Sequence, residues 1–348
     1  MSKKSVLRFL RLCFALGLIY FLTVFYSLFW APNTKTTEPT SVLFIGSHDT
    51  FKEVMSHLGP LLEDTISFQR LSRIKRYDQN IRPGRYQITD GLTNNELINI
   101  LRSGNRPITL TFNNQERIED LAGAMAKQIE PDSIALLKAF TEKSYFQQVD
   151  GVNRENILAL FIANSYEVYW NITPKAIFQR MIKEYNAFWN DQRKIKASNL
   201  GLTDLEVMSL AAIVQKESVK VSERPRIAGV YLNRLSKGIM LQADPTVIYA
   251  KKTLENDFSQ VIRRVLYKDL LLDSPYNTYK YKDLPPGPIA MPDISSIDAV
   301  LNPERHQFLY FVADPERPGY HLFSKTLKQH NEKRQAYVRW LAKNRIKR

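Results

Sequence analysis

From Leu12 to Thr34 the chain carries no charge and is mostly apolar. A helix needs about 20 such residues to cross the hydrocarbon core of a bilayer. The stretch therefore predicts a transmembrane anchor over residues 12–34 and makes the rest of the chain fold beside a membrane. Lys3, Lys4, Arg8 and Arg11 precede it with no acid among them. That bias puts the basic tail, residues 1–11, in the cytoplasm and everything after about Lys35 outside. A cleaved signal peptide is the competing reading. Against it, the apolar core is too long, and Phe29-Trp30-Ala31-Pro32 is a poor small-residue cleavage site. Aromatic residues at that end suit an interfacial belt instead.

The formal net charge is +14; without Lys3, Lys4, Arg8 and Arg11 the exported part keeps +10. A basic exported surface suits an anionic polymer or a membrane surface. Nucleic acid is the usual partner of such charge, but export and the lack of any nucleic-acid motif argue against it. Cys13 is the single cysteine, so an internal disulfide is excluded. The five histidines, His48, His57, His306, His321 and His330, show no close metal-ligand spacing. No metal and no cofactor is expected.

The 348 residues suffice for two modest domains plus an anchor. After a short polar linker, Val42 to Ile45 reads as a buried strand and Thr50 to Leu58 as a helix stopped by Gly59-Pro60. Ile81 to Ile88 reads as a turn leading into a strand. Thr93 with Glu96 forms a capping-box pattern opening a helix that runs through Leu101 to Gly104. Ile108 to Phe112 alternates as a half-buried strand does. These elements define a small module over 40–113. Residues 114–200 read as a mainly helical connecting region. A C-terminal lobe over 201–340 holds a helix ending near Glu217, a second from Pro225 to Leu235, and a proline- and tyrosine-rich loop from Tyr276 to Ala290. Phe308 to Ala313 pairs with His321 to Phe323 across the turn at Pro315 to Gly319. The stretch from Lys325 to Arg348 is mostly basic and reads as a solvated helix face with a frayed tail. Strands and helices without regular βαβ alternation point to an α+β fold.

Glu217 is the candidate for chemistry. Thr203 and Glu206 make a second capping-box pattern, and Val207, Leu210, Ala211, Val214 and Ser218 follow one helical face. An acid late on such a helix can sit against packed apolar side chains, which disfavours its ionised form and raises its pKa. A carboxyl protonated near neutral pH is what a general acid needs. Most helix glutamates are solvated, so the blocks that follow matter. They are Glu223-Arg224-Pro225, Gly229 to Leu235, Gly238 to Tyr249, Tyr276-Asn277-Thr278-Tyr279, Leu284 to Ala290, and His321-Leu322-Phe323-Ser324.

In this order and wording the chain resembles the YceG-like family of endolytic murein transglycosylases, most densely from about Leu205 to Asn331. The resemblance implies that the anchor lies in the cell (inner) membrane with the rest of the chain on its outer/periplasmic side, and that 40–113 is a LysM-like module and 201–340 a catalytic domain. In that family the second glutamate of an EKE segment is the catalytic acid. Here the segment reads Gln215-Lys216-Glu217, with the first acid replaced and Glu217 kept. Ala163 to Tyr169 resembles a block usually written P-D/N-T-Y-E, with Ala163 and Ser165 departing from it, which leaves a substrate role for Asn164 or Glu167 open. The implied reaction cleaves the β-1,4 bond between N-acetylmuramic acid and N-acetylglucosamine within nascent glycan strands. It leaves 1,6-anhydro ends, with Glu217 as acid and then base. The implied partners are peptidoglycan glycan strands, the membrane, and peptidoglycan synthases (penicillin-binding proteins).

Holding sugars and amides needs polar and aromatic side chains. Gln242, Asp244, Thr246, Asn277, Tyr279 and His321 are the polar candidates; Tyr276, Tyr279 and Phe323 are candidates for stacking on sugar faces. Each has a structural alternative. Asp244 before Pro245 suits a turn or cap, Asn277 suits a loop cap, and strand aromatics suit a core. Three other functions compete. One is a two-carboxylate hydrolase using Glu217 with Glu223 or Asp244. Another is a non-catalytic wall-binding scaffold, and the last a membrane-tethered nucleic-acid binder resting on charge alone.

Overall fold

The computed structural model describes residues 3–344. Residues 1–2 of the basic tail and 345–348 of the C-terminal basic stretch lie outside them. The chain divides into two compact units. One holds the chain up to Leu110 with Gln128–Pro131 and Tyr166–Ile172; the other holds Thr111–Lys127, Asp132–Ser165 and everything from Thr173.

The first unit begins with α1 (Lys3–Phe29). Within it, Leu10–Phe29 is long and apolar enough to cross a membrane. The exposed half of this helix gives way at its end to packing: Leu28 is buried in the unit's core, with Val24 and Phe29 against it. The next residues join the fold directly, as Pro32 bridges to Thr93 and Thr34 to Leu62. Then come β1 (Thr40–Ile45), α2 (Phe51–Leu58), α3 (Thr65–Ile74), β2 (Gly84–Thr89), α4 (Asn94–Ser103) and β3 (Pro107–Phe112). β1 and β2 pair antiparallel, Thr40 opposite Thr89 and Ile45 opposite Gly84. Their alternation turns Leu43, Ile45, Tyr86 and Ile88 onto Val54, Leu58, Phe68, Leu71, Leu97 and Leu101. The capping box expected at Thr93 is formed, Glu96 reaching back to the cap backbone, and Thr50 with Glu53 makes another at the start of α2. α3 lacks that signature in its sequence and starts instead on Asp64, whose carboxylate accepts from the Ile66 and Ser67 N–H groups.

The second unit contains α5 (Ile118–Ala126), α6 (Ser133–Thr141) and α7 (Lys143–Phe146). β4 (Asn164–Tyr169), which from Tyr166 on belongs to the first unit, comes next in the chain; α8 (Pro174–Phe188) and α9 (Asp191–Asn199) return to the second. Residues 114–200 are thus mostly helical, interrupted by β4, which pairs with β3 in a two-stranded sheet. The interruption has a cause: the run alternates, with Tyr166 and Val168 buried and their neighbours exposed. Next come α10 (Asp204–Glu217), α11 (Arg224–Ser236), α12 (Asp244–Leu254), α13 (Ile294–Leu301), β5 (Tyr310–Ala313), β6 (His321–Ser324) and α14 (Leu327–Lys343). The β5–β6 hairpin forms as expected, Ala313 opposite His321.

α10 is the axis of this unit. The capping box at Thr203 opens it. From Val207 to Val214 every residue is buried, not only the one apolar face. Its environment explains this, for α9, α11, α12 and α13 all pack on it. Two glycines of the quoted blocks allow close chain crossings. A Cβ on Gly229 of α11 would meet the Glu304 carbonyl oxygen at 2.5 Å, and one on Gly287 would collide with the Glu155 carbonyl. The chain is α+β, with one apolar N-terminal helix.

Candidate active site

Glu217 is the last residue of α10, and Ser218 leaves the helix in an extended conformation. Helix geometry alone puts this carboxylate at the negative end of the backbone dipole. The turn behind it is clamped by Arg224, which is buried. Its Nε donates to the Ser218 carbonyl at 3.1 Å and its Nη1 to Asp293 and Ser295. Gln215, standing where the family pattern has a glutamate, ties α10 to the start of α13. Its Oε1 accepts the Asp293 N–H and its Nε2 donates to the Met291 carbonyl. An amide both accepts and donates here, which a carboxylate does not.

Glu217 lines a cavity of about 250 Å³ with Tyr231, Arg234, Gln242, Asp244, Tyr279, Tyr310, Phe311 and His330. Tyr231, on α11, donates its hydroxyl to Glu217 Oε1 at 2.6 Å. Burial pushes the Glu217 pKa up to about 7; the Tyr231 hydrogen bond opposes the rise and the charge of Asp244 adds to it. Asp244 heads α12 and accepts from the Tyr279 hydroxyl at 2.6 Å. Burial and that bond hold the Tyr279 phenol well above its ordinary range. Two tyrosine–carboxylate pairs thus share one small cavity. Gln242 sits there with φ of +52°, a left-handed conformation that L side chains seldom adopt. Its N–H donates to the Thr278 carbonyl, and its Oε1 accepts from Arg234.

Of the residues expected at the site, Glu217, Gln242, Asp244 and Tyr279 therefore come together. Thr246 lies behind them, fully buried, donating to the Ala243 carbonyl and bonded to Thr278 Oγ1. Asn277 is also fully buried. Its amide donates to the Leu270 and Leu272 carbonyls and its Oδ1 accepts the Tyr279 N–H, so it shapes the loop that presents Tyr279. His321 is bonded to Glu223 through Nδ1 at 2.7 Å and stands edge-on to Phe311. Phe323 is packed on Phe308 and Phe311. Tyr276 is packed on Tyr249 and reaches the Glu155 carbonyl. Tyr231, Arg234, Tyr310, Phe311 and His330 were not singled out by sequence reasoning. The signal for Tyr231 and Arg234 lay in the block Gly229 to Leu235, on the helix that follows Glu217. Among the described residues no group of three or more His, Cys, Asp or Glu side chains is placed to hold a metal ion.

A second cavity, about 810 Å³, lies in the first unit along β1, beside Phe44 and Trp170, whose rings are 4.8 Å apart.

Residues 43–336 match the YceG-like family. The chain is 28% identical over 327 residues to the endolytic murein transglycosylase of Bacillus subtilis strain 168, covering 88% of this chain and 87% of that protein. It is 25% identical over 285 residues to the endolytic murein transglycosylase of Streptococcus pneumoniae strain D39, covering 73% of this chain and half of that longer protein. A crystal structure of a YceG-like protein from Listeria monocytogenes shares the fold with a TM-score of 0.57 at 24% identity, covering 84% of this chain and 98% of that one. With most of its length matched, the chain belongs to the YceG-like family.

Proposed function

We propose that the protein is an endolytic peptidoglycan lytic transglycosylase, held to the inner membrane by α1 with its catalytic unit on the outer, periplasmic face. Glu217 protonates the glycosidic oxygen between N-acetylmuramic acid and N-acetylglucosamine. The substrate's own acetamido group assists the oxocarbenium-like centre. The ionised Glu217 then takes the proton from the C6 hydroxyl of the muramic sugar, the ring closes to a 1,6-anhydro end, and no water is consumed. One carboxyl acting as acid and base in one turnover works best with a pKa near the operating pH. The observation that carries the reading is Glu217 at about pKa 7 in a small cavity, hydrogen-bonded by Tyr231. Tyr231 fixes the carboxyl rotamer and leaves Oε2 for the substrate.

A two-carboxylate hydrolase remains the second reading, because Asp244 shares the cavity and its charge acts on Glu217. The first unit has the β-α-α-β order of a LysM-like module. Its groove at Phe44 and Trp170 suits the faces of sugar rings, and we assign it to holding the same glycan. Synthases of new strands are the neighbours this location implies.

Mass spectrometry of the ends made from purified glycan strands tests the reading, with Glu217→Gln as control. New 1,6-anhydro ends made only by the wild type are expected. Reducing ends would establish hydrolysis and make Asp244 the second carboxylate. Strands that bind but stay uncut would leave a scaffold.

A further inference from the structure

Arg234 is a cation buried without an anion. It is only 7% exposed. Its Nη1 donates to the Leu241 carbonyl at 2.8 Å and its Nη2 to Gln242 Oε1 at 2.9 Å. Its guanidinium lies over the Tyr310 ring, 5.3 Å from the centroid. Its Nε has no partner among the described residues, and no carboxylate there forms an ion pair with it. The contrast is Arg224, equally buried on the same helix, which is neutralised by Asp293. His330 stacks on the same Tyr310 ring at 5.4 Å, and its Nδ1 is also buried without a partner. Both residues line the Glu217 cavity.

A buried charge is costly unless it is paired. In Arg234 two neutral carbonyl-type acceptors and a ring face hold the fork, and its charge is left for something that enters the cavity. We infer that Arg234, with His330 beside it, is a specificity site for a carboxylate carried by the glycan substrate. This rests on the glycan reading above. A guanidinium repels the positive centre that develops at the cleaved carbon, so the anion it meets belongs to a ring substituent beside that bond. Two sources offer that chemistry: the lactyl carboxylate of a bare muramic sugar, and a carboxylate of the peptide attached there. Arg234 is a binding residue, and proton transfer stays with Glu217.

The test changes the ligand first. Full-length protein in detergent, carrying Glu217→Gln to prevent cleavage, is titrated with bare strands, with peptide-bearing strands, and with methyl-esterified forms of each. Esterification is expected to weaken binding about tenfold or more, the size of a charge-assisted hydrogen bond. Loss on bare strands identifies the lactyl group, and loss confined to peptide-bearing strands identifies the peptide. Adding Arg234→Met should abolish the difference, and Arg234→Lys should keep part of it. If the Met variant does not fold, the esterification series decides alone. Equal affinity for free and esterified strands of both kinds overturns the inference while leaving the glycan reading intact, as does a full esterification effect in a folded Arg234→Met protein. Failure of every strand to bind overturns both.

Discussion

The end of α10 and the turn into α11 each present a carboxylate, six positions apart in the chain, and the two are treated in opposite ways. Glu223 is only 5% exposed, and both its oxygens are engaged. Oε1 accepts the His321 backbone N–H at 2.8 Å and Oε2 meets His321 Nδ1 at 2.7 Å. Glu217 meets a single donor, the Tyr231 hydroxyl, and keeps one oxygen facing a cavity. A carboxylate whose lone pairs are filled holds structure together. One that is desolvated and given a single neutral donor is poised to hold or release a proton. The difference bears on Glu223, which the sequence left beside Asp244 as a possible second carboxylate for Glu217.

The largest effect expected is on turnover. Glu217→Gln should lower the formation of 1,6-anhydro ends by about a thousandfold or more, within the range general acid–base catalysis supplies, with circular dichroism unchanged. Glu223→Gln, assayed per folded molecule, should keep most of its activity. Equal losses in the two variants would erase the distinction drawn here. For stability the order reverses. Glu223→Ala strips the acceptor from His321 Nδ1 and from its backbone N–H, and should cost about 3–5 kcal/mol in urea unfolding, as breaking a buried pair does. Retained stability would mean that His321 finds another acceptor.

The next effect, in stability, follows from linkage. Folding raises the Glu217 pKa from 4.5 to about 7, so the native state binds a proton the unfolded chain has already released in that window. Stability from this group is full below pH 4.5 and is lost as pH rises through about 7. The loss amounts to about 3 kcal/mol. Glu217→Gln stays neutral, so at pH 8 it should be more stable than wild type by up to that amount and near-equal at pH 4.5. Identical unfolding curves for the two proteins at pH 8 would show that the carboxyl is better solvated than its cavity suggests.

Local signals carried most of the fold. The capping boxes at Thr93 and Thr203, the alternation at Ile108 to Phe112 and the hairpin closed at Gly319 rest on neighbours in sequence, and all four elements form. What stayed hidden depends on tertiary packing. α10 reads as amphipathic but is buried all round, because four helices converge on it. β4 was absorbed into a helical region because its alternation is short. At the site, Glu217, Gln242, Asp244 and Tyr279 stand in the quoted blocks and meet in one cavity. Thr246 and Asn277 stand in the same blocks, and nothing local shows that their polar atoms are spent on the backbone of the Tyr279 loop. His330 lay inside a stretch read as a solvated basic helix, and only the packing of α14 beside β5 and β6 brings it to the cavity.

The smallest effects separate the two groups that act on Glu217. Tyr231 donates a hydrogen bond that favours the ionised form, and Asp244 adds a negative charge that disfavours it. Tyr231→Phe should therefore move the pH profile of cleavage to higher pH, and Asp244→Asn should move it to lower pH. Each should change the peak rate by about tenfold or less, the worth of one hydrogen bond or one screened charge. A profile of cleavage rate from pH 5 to 9 for both variants reads the two shifts together. The Asp244 variant also weighs the two mechanisms. If Asp244 only biases the Glu217 proton, a shifted profile with most of the rate is the result. If it attacks the sugar or activates water, its amide removes the second carboxylate that hydrolysis needs, and the rate collapses at every pH.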